Sequence, residues 1–115
     1  LLDGSRYGAV ARHELYAMFG NAIDNAIEAV EKLPEDKRVI SVTEKSTGGF
    51  IAVRVENYFD GKITIENGLP LTDKKGEGHG FGVKSIKMIA EKYNGGATVS
   101  THDDVFTLDI FLNVL

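Results

Sequence analysis

Two short polar turns constrain the fold of this chain more than any other feature of its sequence. Thr47-Gly48-Gly49 and Asp103-Asp104 each separate two runs of alternating apolar and polar residues. A turn this short joins neighbouring antiparallel strands, because parallel strands need a much longer crossover. We therefore predict two β-hairpins, whose strands cover about 38–46, 50–57, 97–101 and 105–113.

Two amphipathic helices account for most of the remaining chain. Apolar residues recur at helical spacing over His13–Lys32, where we predict a helix that Pro34 ends. A second helix is predicted over Gly80–Tyr93, followed by a left-handed turn at Asn94-Gly95-Gly96. The inward face of this second helix is expected to carry Ile86, Ile89, Ala90 and Tyr93.

The order of these elements predicts a two-layer α+β sandwich. Short strands are also expected over Arg6–Val10 and Ile63–Ile65, so the sheet is mixed but mainly antiparallel. The two helices are expected to cover one face of this sheet. Leu71–His79 is polar, charged and rich in glycine, which predicts a mobile loop between the sheet and the second helix.

Composition restricts the class of protein. A chain of 115 residues with 43% hydrophobic residues suits a single domain over 1–115. The net charge of -4 disfavours nucleic acid or an anionic membrane surface as the main partner, and the absence of cysteine excludes disulfides. The sequence contains neither a signal peptide nor an apolar run long enough for a bilayer. Because it begins with Leu1, we expect a piece of a larger protein.

Glycines occupy alternate positions from Gly76 to Gly82 and lead directly into the second helix. Alternate glycines let the backbone approach a ligand closely, and a helix N-terminus presents free N–H groups with a positive dipole end. Together these features predict an anion site, most often for phosphate. Lys74 could pair with such a phosphate. A flexible glycine loop without a ligand is the alternative interpretation.

A second polar group lies on the first predicted helix. Asn21, Asn25 and Glu28 are spaced by four and three residues, which places them on one helical face. A carboxamide oxygen is a neutral ligand for Mg²⁺, and Mg²⁺ is usually shared with the phosphates of a substrate. A solvated polar face is the alternative interpretation for these residues.

Both polar motifs resemble one known family. Asn21–Ala29 resembles the N-box of the GHKL ATPase superfamily, which has the Bergerat fold, and Gly76–Gly82 resembles the second glycine box that opens its ATP lid. The two boxes occur in the order of the family and at a suitable separation. Within the superfamily, Leu15-Tyr16 and 79–87 are most similar to sensor kinases of peptide quorum-sensing systems in Gram-positive bacteria.

This resemblance implies an ATP-binding catalytic domain of a two-component sensor histidine kinase. Such a domain binds Mg-ATP and donates the γ-phosphoryl group to a histidine on a separate dimerisation segment, which then serves a response regulator. The parent protein is expected to be a membrane-bound bacterial sensor, with this domain in the cytoplasm and the membrane region outside the sequence given.

The resemblance also implies the residues of the site. Asn21 and Asn25 would be catalytic, and Asn25 would also hold Mg²⁺ together with the ATP phosphates. The residues expected to bind the nucleotide are Asn25, Glu28, Asn57, Gly61, Lys74, Gly78, His79, Gly80, Phe81 and Gly82.

The first glycine box of the family departs from its usual pattern in this chain. The family carries an Asp that binds the adenine amino group, whereas this chain has Asn57 there and keeps a glycine only at Gly61. Asn can still accept from an amine through its carbonyl oxygen, but the bond lacks charge assistance. The quorum-sensing branch is similar in carrying Asn at this position.

The residue at position 21 bears on the type of reaction. Family members that hydrolyse ATP usually have a Glu there to activate water, whereas Asn21 cannot take a proton at neutral pH. This favours phosphotransfer, although Glu14, Asp24 and Glu28 stay open as candidate bases. Two other functions also stay open, namely a nucleotide-gated interaction module and a serine kinase of the anti-sigma-factor type.

Overall fold

The computed structural model describes residues 10–61, 65–66, 69–70 and 79–113. Its elements are α1 (Arg12–Glu31), a 3-10 turn (Glu35–Lys37), β1 (Ile40–Thr47), β2 (Phe50–Tyr58), β3 (Ile65–Glu66), β4 (Leu69–Pro70), α2 (His79–Lys92), β5 (Gly96–His102) and β6 (Val105–Asn113). The strand expected over 6–9, the loop over 71–78, and the proposed ligands Lys74 and Gly78 lie outside the described residues.

Four of the strands form one sheet in the order β1-β2-β6-β5. The two predicted hairpins are confirmed, because Thr47 pairs with Phe50 and His102 pairs with Val105 across two-residue turns. The hairpins join through β2 and β6, which also pair antiparallel. Val10, expected at the end of a first strand, is a bend instead. The described strands β3 and β4 form a separate two-stranded ribbon.

The core lies between the helices and one face of this sheet. Alternate residues of β2 and β6 point toward the helices and are buried, as the period of two in a strand requires. The buried apolar side chains of the helices and of these strands are Met18, Ala22, Ala26, Val30, Val83, Ile86, Ala90, Ile51, Val53, Val55, Phe106, Leu108, Ile110 and Leu112. The two-layer α+β fold predicted from the sequence is therefore confirmed.

The apolar stripe of α1 is wider than the surface it buries. Met18, Ala22 and Ala26 are fully buried, but Ile27 is 41% exposed and Ile23 is half-buried. Successive helical residues are about 100° apart, so Ile27 lies well to one side of Ala26. Periodicity alone identified the helix correctly but could not tell which edge of the stripe faces the sheet.

The connection from α2 to β5 is tightly packed. Asn94 has a φ of 58°, as expected for a left-handed helix end, and the amide of Gly95 donates to the carbonyl oxygen of Ala90 at 2.9 Å. A Cβ atom at Gly95 would lie 1.8 Å from the carbonyl oxygen of Phe111. Glycine is required at position 95 because the backbone of β6 occupies the space of a side chain.

Candidate functional site

The two polar motifs of the sequence meet where α1 packs against α2. A Cβ atom built on Gly82 would lie 3.9 Å from the Cβ of Asn21. The start of α2 is therefore next to the polar face of α1. The end of the glycine run and the first asparagine of the polar face therefore lie side by side.

The polar face of α1 borders the core. Asn21, Asn25 and Glu28 all lie within the helix and are partly exposed, whereas Ala22 and Ala26 beside them are buried. A polar side chain in this position keeps its head accessible to a ligand while its backbone is held by the packed helix. The shared face expected from the spacing is thus available on one side of α1.

The end of the glycine run forms the beginning of α2. His79, Gly80, Phe81 and Gly82 are the first four helical residues. The first four N–H groups of an α-helix have no partner within the helix, and the dipole makes this end positive. The first turn of α2 therefore combines the two properties that bind phosphate groups.

Asn57 is the buried polar residue of the sheet. It is 3% exposed and follows Val53 and Val55 on the face that the helices cover. Its Nδ2 donates to the carbonyl oxygen of Tyr58 at 2.8 Å. Its Oδ1 is the single buried side-chain oxygen or nitrogen without a hydrogen-bond partner within the described part of the chain.

The orientation of the Asn57 amide follows from its neighbour. If the amide were flipped, two oxygen atoms would face each other, so the donor must point to Tyr58 and the acceptor must point away. An unsatisfied buried acceptor costs about 1–3 kcal/mol. Asn57 therefore presents a free acceptor that a donor from a ligand would satisfy.

The surroundings of Asn57 are aromatic. Phe106, which pairs with Asn57 across the sheet, packs edge-on against Phe59 with ring centroids 6.2 Å apart. The amide of Phe59 donates to the carbonyl oxygen of Asp104 at 2.9 Å. Gly61 follows with a φ of 80°, a conformation that side chains disfavour. Flat apolar groups next to one free acceptor suit a planar heterocycle.

Glu14 is engaged by two side chains of the other helix end. Its carboxylate accepts from Lys92 Nζ at 2.8 Å and from the Tyr93 hydroxyl at 2.5 Å. The hydrogen bond from Lys92, followed by that from Tyr93, holds the pKa of Glu14 below its usual range. Glu14 also lies seven residues before Asn21, which is about 10 Å along the helix axis. Glu14, which stayed open as a candidate base, is thus engaged by two partners at the other end of this stretch of α1.

Three other polar residues considered from the sequence are largely exposed. Lys84 and Asp24 are exposed, and the His102 side chain is 93% exposed beside Asp103. Over the described ranges, no group of three or more His, Cys, Asp or Glu side chains could hold a metal ion. Neither of the two described α-helices is long and apolar enough to cross a membrane.

Sequence reasoning missed the polar role of Tyr93, which was expected only as an apolar residue of the inward face. Its ring packs against the core, but its hydroxyl reaches α1 and accepts from the amide of Ala11 at 3.1 Å. A tyrosine rather than a phenylalanine at the end of an apolar stripe was the available signal, because a partly buried hydroxyl usually has a partner.

Comparison with known proteins agrees with these features. A family model described as a GHKL domain matches residues 11–113. The probable C4-dicarboxylate sensor kinase of Bacillus subtilis (strain 168) is 29% identical over 98 residues, which cover 81% of this chain and 18% of that protein. The histidine kinase AdeS of Acinetobacter baumannii superposes with a TM-score of 0.61 at 14% identity, over 90% of this chain and 47% of that chain. The chain thus spans less than half of each.

Proposed function

Because the chain belongs to the GHKL domain family, we propose that it is the ATP-binding domain of a sensor histidine kinase. In this proposal it binds Mg-ATP and donates the γ-phosphoryl group to a histidine on a separate dimerisation segment. One relative is named a sensor kinase and a protein of the same fold is named a histidine kinase, which supports this assignment.

The observation that carries the proposal is the unpartnered Oδ1 of Asn57. The exocyclic amino group of adenine is a donor that would satisfy it, whereas Nδ2 is already committed to Tyr58. Phe59 and Phe106 lie next to Asn57 and would exclude water from the base. A neutral amide gives a weaker bond than a carboxylate, so we expect modest affinity for nucleotide.

We assign the phosphates to the first turn of α2, over 79–82. Asn21 supports this assignment because it lies beside Gly82, and Asn25 follows one turn later on the same face. Asn25 would hold Mg²⁺ together with the phosphates, and the ion would supply charge neutralisation there. The remaining proposed nucleotide ligands are Glu28, Gly61, Lys74 and Gly78.

Phosphotransfer is favoured over hydrolysis by the side chains around Asn21. The amide of Asn21 cannot accept a proton, and the carboxylate of Glu14 is held by Lys92 and Tyr93. In this proposal the site positions the phosphoryl group and stabilises its charge, and Asp24 and Glu28 are the carboxylates that stay open as bases for water. We also propose membership of the quorum-sensing branch and a membrane-bound parent, on the resemblance of 79–87 and of Asn57 alone.

The adenine assignment is tested with ATP and ITP, since inosine carries an oxygen where adenine carries the amino group. Calorimetry with Mg-nucleotide should show at least tenfold tighter binding of ATP by the natural chain, because ITP leaves Oδ1 facing an acceptor. Asn57→Leu, which has nearly the same shape, should abolish this discrimination. Equal binding of ATP and ITP by the natural chain would contradict the role of Asn57.

The phosphotransfer step is tested by mixing the domain with the dimerisation segment of its parent and labelled ATP. Acid-labile, base-stable label on a histidine is expected. Nucleotide binding without any transfer of label would instead indicate the nucleotide-gated interaction module, and label on a hydroxyl would indicate a serine kinase.

A further inference from the structure

A polar cluster links the two helices at the end remote from the phosphate-binding turn. Tyr93 accepts from the amide of Ala11 through its hydroxyl and donates to Glu14, while Lys92 pairs with the other oxygen of the same carboxylate. Three hydrogen bonds therefore tie the last turn of α2 to the first turn of α1. None of these groups has a place in the phosphotransfer described above.

Tyr93 is also fixed to the sheet. Its carbonyl oxygen accepts from the amide of Asn113 in β6 at 3.1 Å, which ties the backbone of Tyr93 to the sheet. The hydroxyl then reaches across to α1. Tyr93 thereby connects α2, α1 and the sheet. These three elements carry the residues of the proposed nucleotide site, so their relative positions determine its shape.

The cluster and the site lie along the same face of α1. Glu14 and Asn21 are seven residues apart, which is close to two full helical turns. Glu14 contacts the end of α2, whereas Asn21 lies next to Gly82 at its start. The helices are therefore antiparallel and are held at two points, one of them polar.

The buried residues between these two points cannot fix the position of α2 as sharply. Met18 of α1, and Val83, Ile86 and Ala90 of α2, are buried there and are all apolar. Apolar contacts are non-directional, so they tolerate sliding and rotation of one helix on the other. Hydrogen bonds depend strongly on distance and angle, so the Tyr93 hydroxyl defines one position of α2 along α1.

We propose that Tyr93 is a positioning residue of the nucleotide site, whose hydroxyl holds α2 against α1 so that Gly82 stays beside Asn21. This inference rests on the proposed function for its consequence in binding. The geometric part, that the hydroxyl at one end of α2 sets the contact at the other end, stands independently of any ligand.

The test compares Tyr93→Phe with Tyr16→Phe. Both variants lose one hydroxyl, but Tyr16 is 69% exposed on the outer side of α1 and serves as the matched control. Without nucleotide, Tyr93→Phe should shift the NMR resonances of the Gly82 amide and the Asn21 side chain, and Tyr16→Phe should not. Tyr93→Phe should also lower the affinity for Mg-ATP by roughly three- to thirtyfold, which is the range for mutations that act through packed neighbours.

A second variant covers the case in which Tyr93→Phe does not fold. Glu14→Ala removes the acceptor of the Tyr93 hydroxyl and should shift the same resonances. Combining both changes should give less than the sum of the two effects, because both break the hydrogen bond between Tyr93 and Glu14. Lys92→Met removes the exposed ion pair with Glu14 but leaves the hydrogen bond from Tyr93 to Glu14, so the resonances should shift less in this variant. Resonances of Gly82 and Asn21 that stay unchanged in both Tyr93→Phe and Glu14→Ala would overturn the inference. Failure of the natural chain to bind nucleotide would refute the proposed function instead.

Discussion

Replacing Gly95 by alanine offers a direct test of how α2 joins the sheet. The added Cβ would lie 1.8 Å from the carbonyl oxygen of Phe111, 2.6 Å from its carbonyl carbon and 3.0 Å from the Cα of Leu112. All three are backbone atoms of β6, so no side-chain rotation can relieve the overlap. The backbone must separate by about 1.5 Å to restore an ordinary contact near 3.3 Å.

The cost of that separation follows from what it disrupts. The residue after Gly95 pairs with Phe111 at the start of the β5–β6 ladder, and the Gly95 amide caps α2 through Ala90. Losing two to three backbone hydrogen bonds at about 1 kcal/mol each, together with partial opening of the core beside Leu112, gives a loss of about 3–5 kcal/mol. The whole free energy of unfolding of a domain of this size is about 5–15 kcal/mol.

Gly96→Ala provides the matched control, because a Cβ atom at Gly96 would meet nothing within 4 Å. Urea unfolding followed by far-UV circular dichroism should show a strongly lowered midpoint for Gly95→Ala. The control should remain within about 1 kcal/mol of the natural chain. A Gly95→Ala protein as stable as the control would refute the close approach of α2 and β6 on which the argument depends.

Two further predictions concern charged groups. Glu14→Gln should lower the free energy of unfolding at pH 7. Because Lys92 and Tyr93 lower the pKa of Glu14 in the folded state, the stabilisation by Glu14 is lost when it is protonated. The difference in free energy of unfolding between the variant and the natural chain should therefore shrink as the pH falls below 4.5. A difference that is constant from pH 7 to pH 3 in urea unfolding would contradict this. Asn57→Asp should place a carboxyl oxygen 2.8 Å from the Tyr58 carbonyl oxygen in a buried position, which raises the pKa of the new carboxyl. The folded state would then hold a proton that the unfolded state releases, so the stability of Asn57→Asp should fall as the pH rises from 5 to 8. A free energy of unfolding that does not change over this pH range would disprove the prediction.

Local features of the fold were predictable from the sequence. The Gly48-Gly49 turn and the Asp103-Asp104 turn specify hairpins because a tight turn depends only on residues near in sequence. The pairing of β2 with β6 was not predicted, because strand alternation fixes which side chains share a face but not which strands are neighbours. The ribbon partner of Ile65, at Pro70, was missed for the same reason.

In the candidate site, too, features that depend on neighbouring residues were predictable, whereas contacts between distant residues were not. The spacing of Asn21 and Asn25 placed them on one helical face, but the contact between Asn21 and Gly82 depends on how α1 crosses α2. Asn57 was identified by its place in a motif, whereas its free Oδ1 could be recognised only once the donor to Tyr58 was located. The partners of Glu14 could not be predicted, because Lys92 and Tyr93 are distant in sequence.

The register of β2 separates the two ends of the molecule. Asn57 lies at one end of the strand, while Phe50 and the Gly48-Gly49 turn lie at the other, seven residues or about 23 Å away. Asn113 pairs with Phe50 and so shares that remote end. A fluorescent probe or affinity handle inserted at the Gly48-Gly49 turn would therefore report on the domain without obstructing the base of a bound nucleotide.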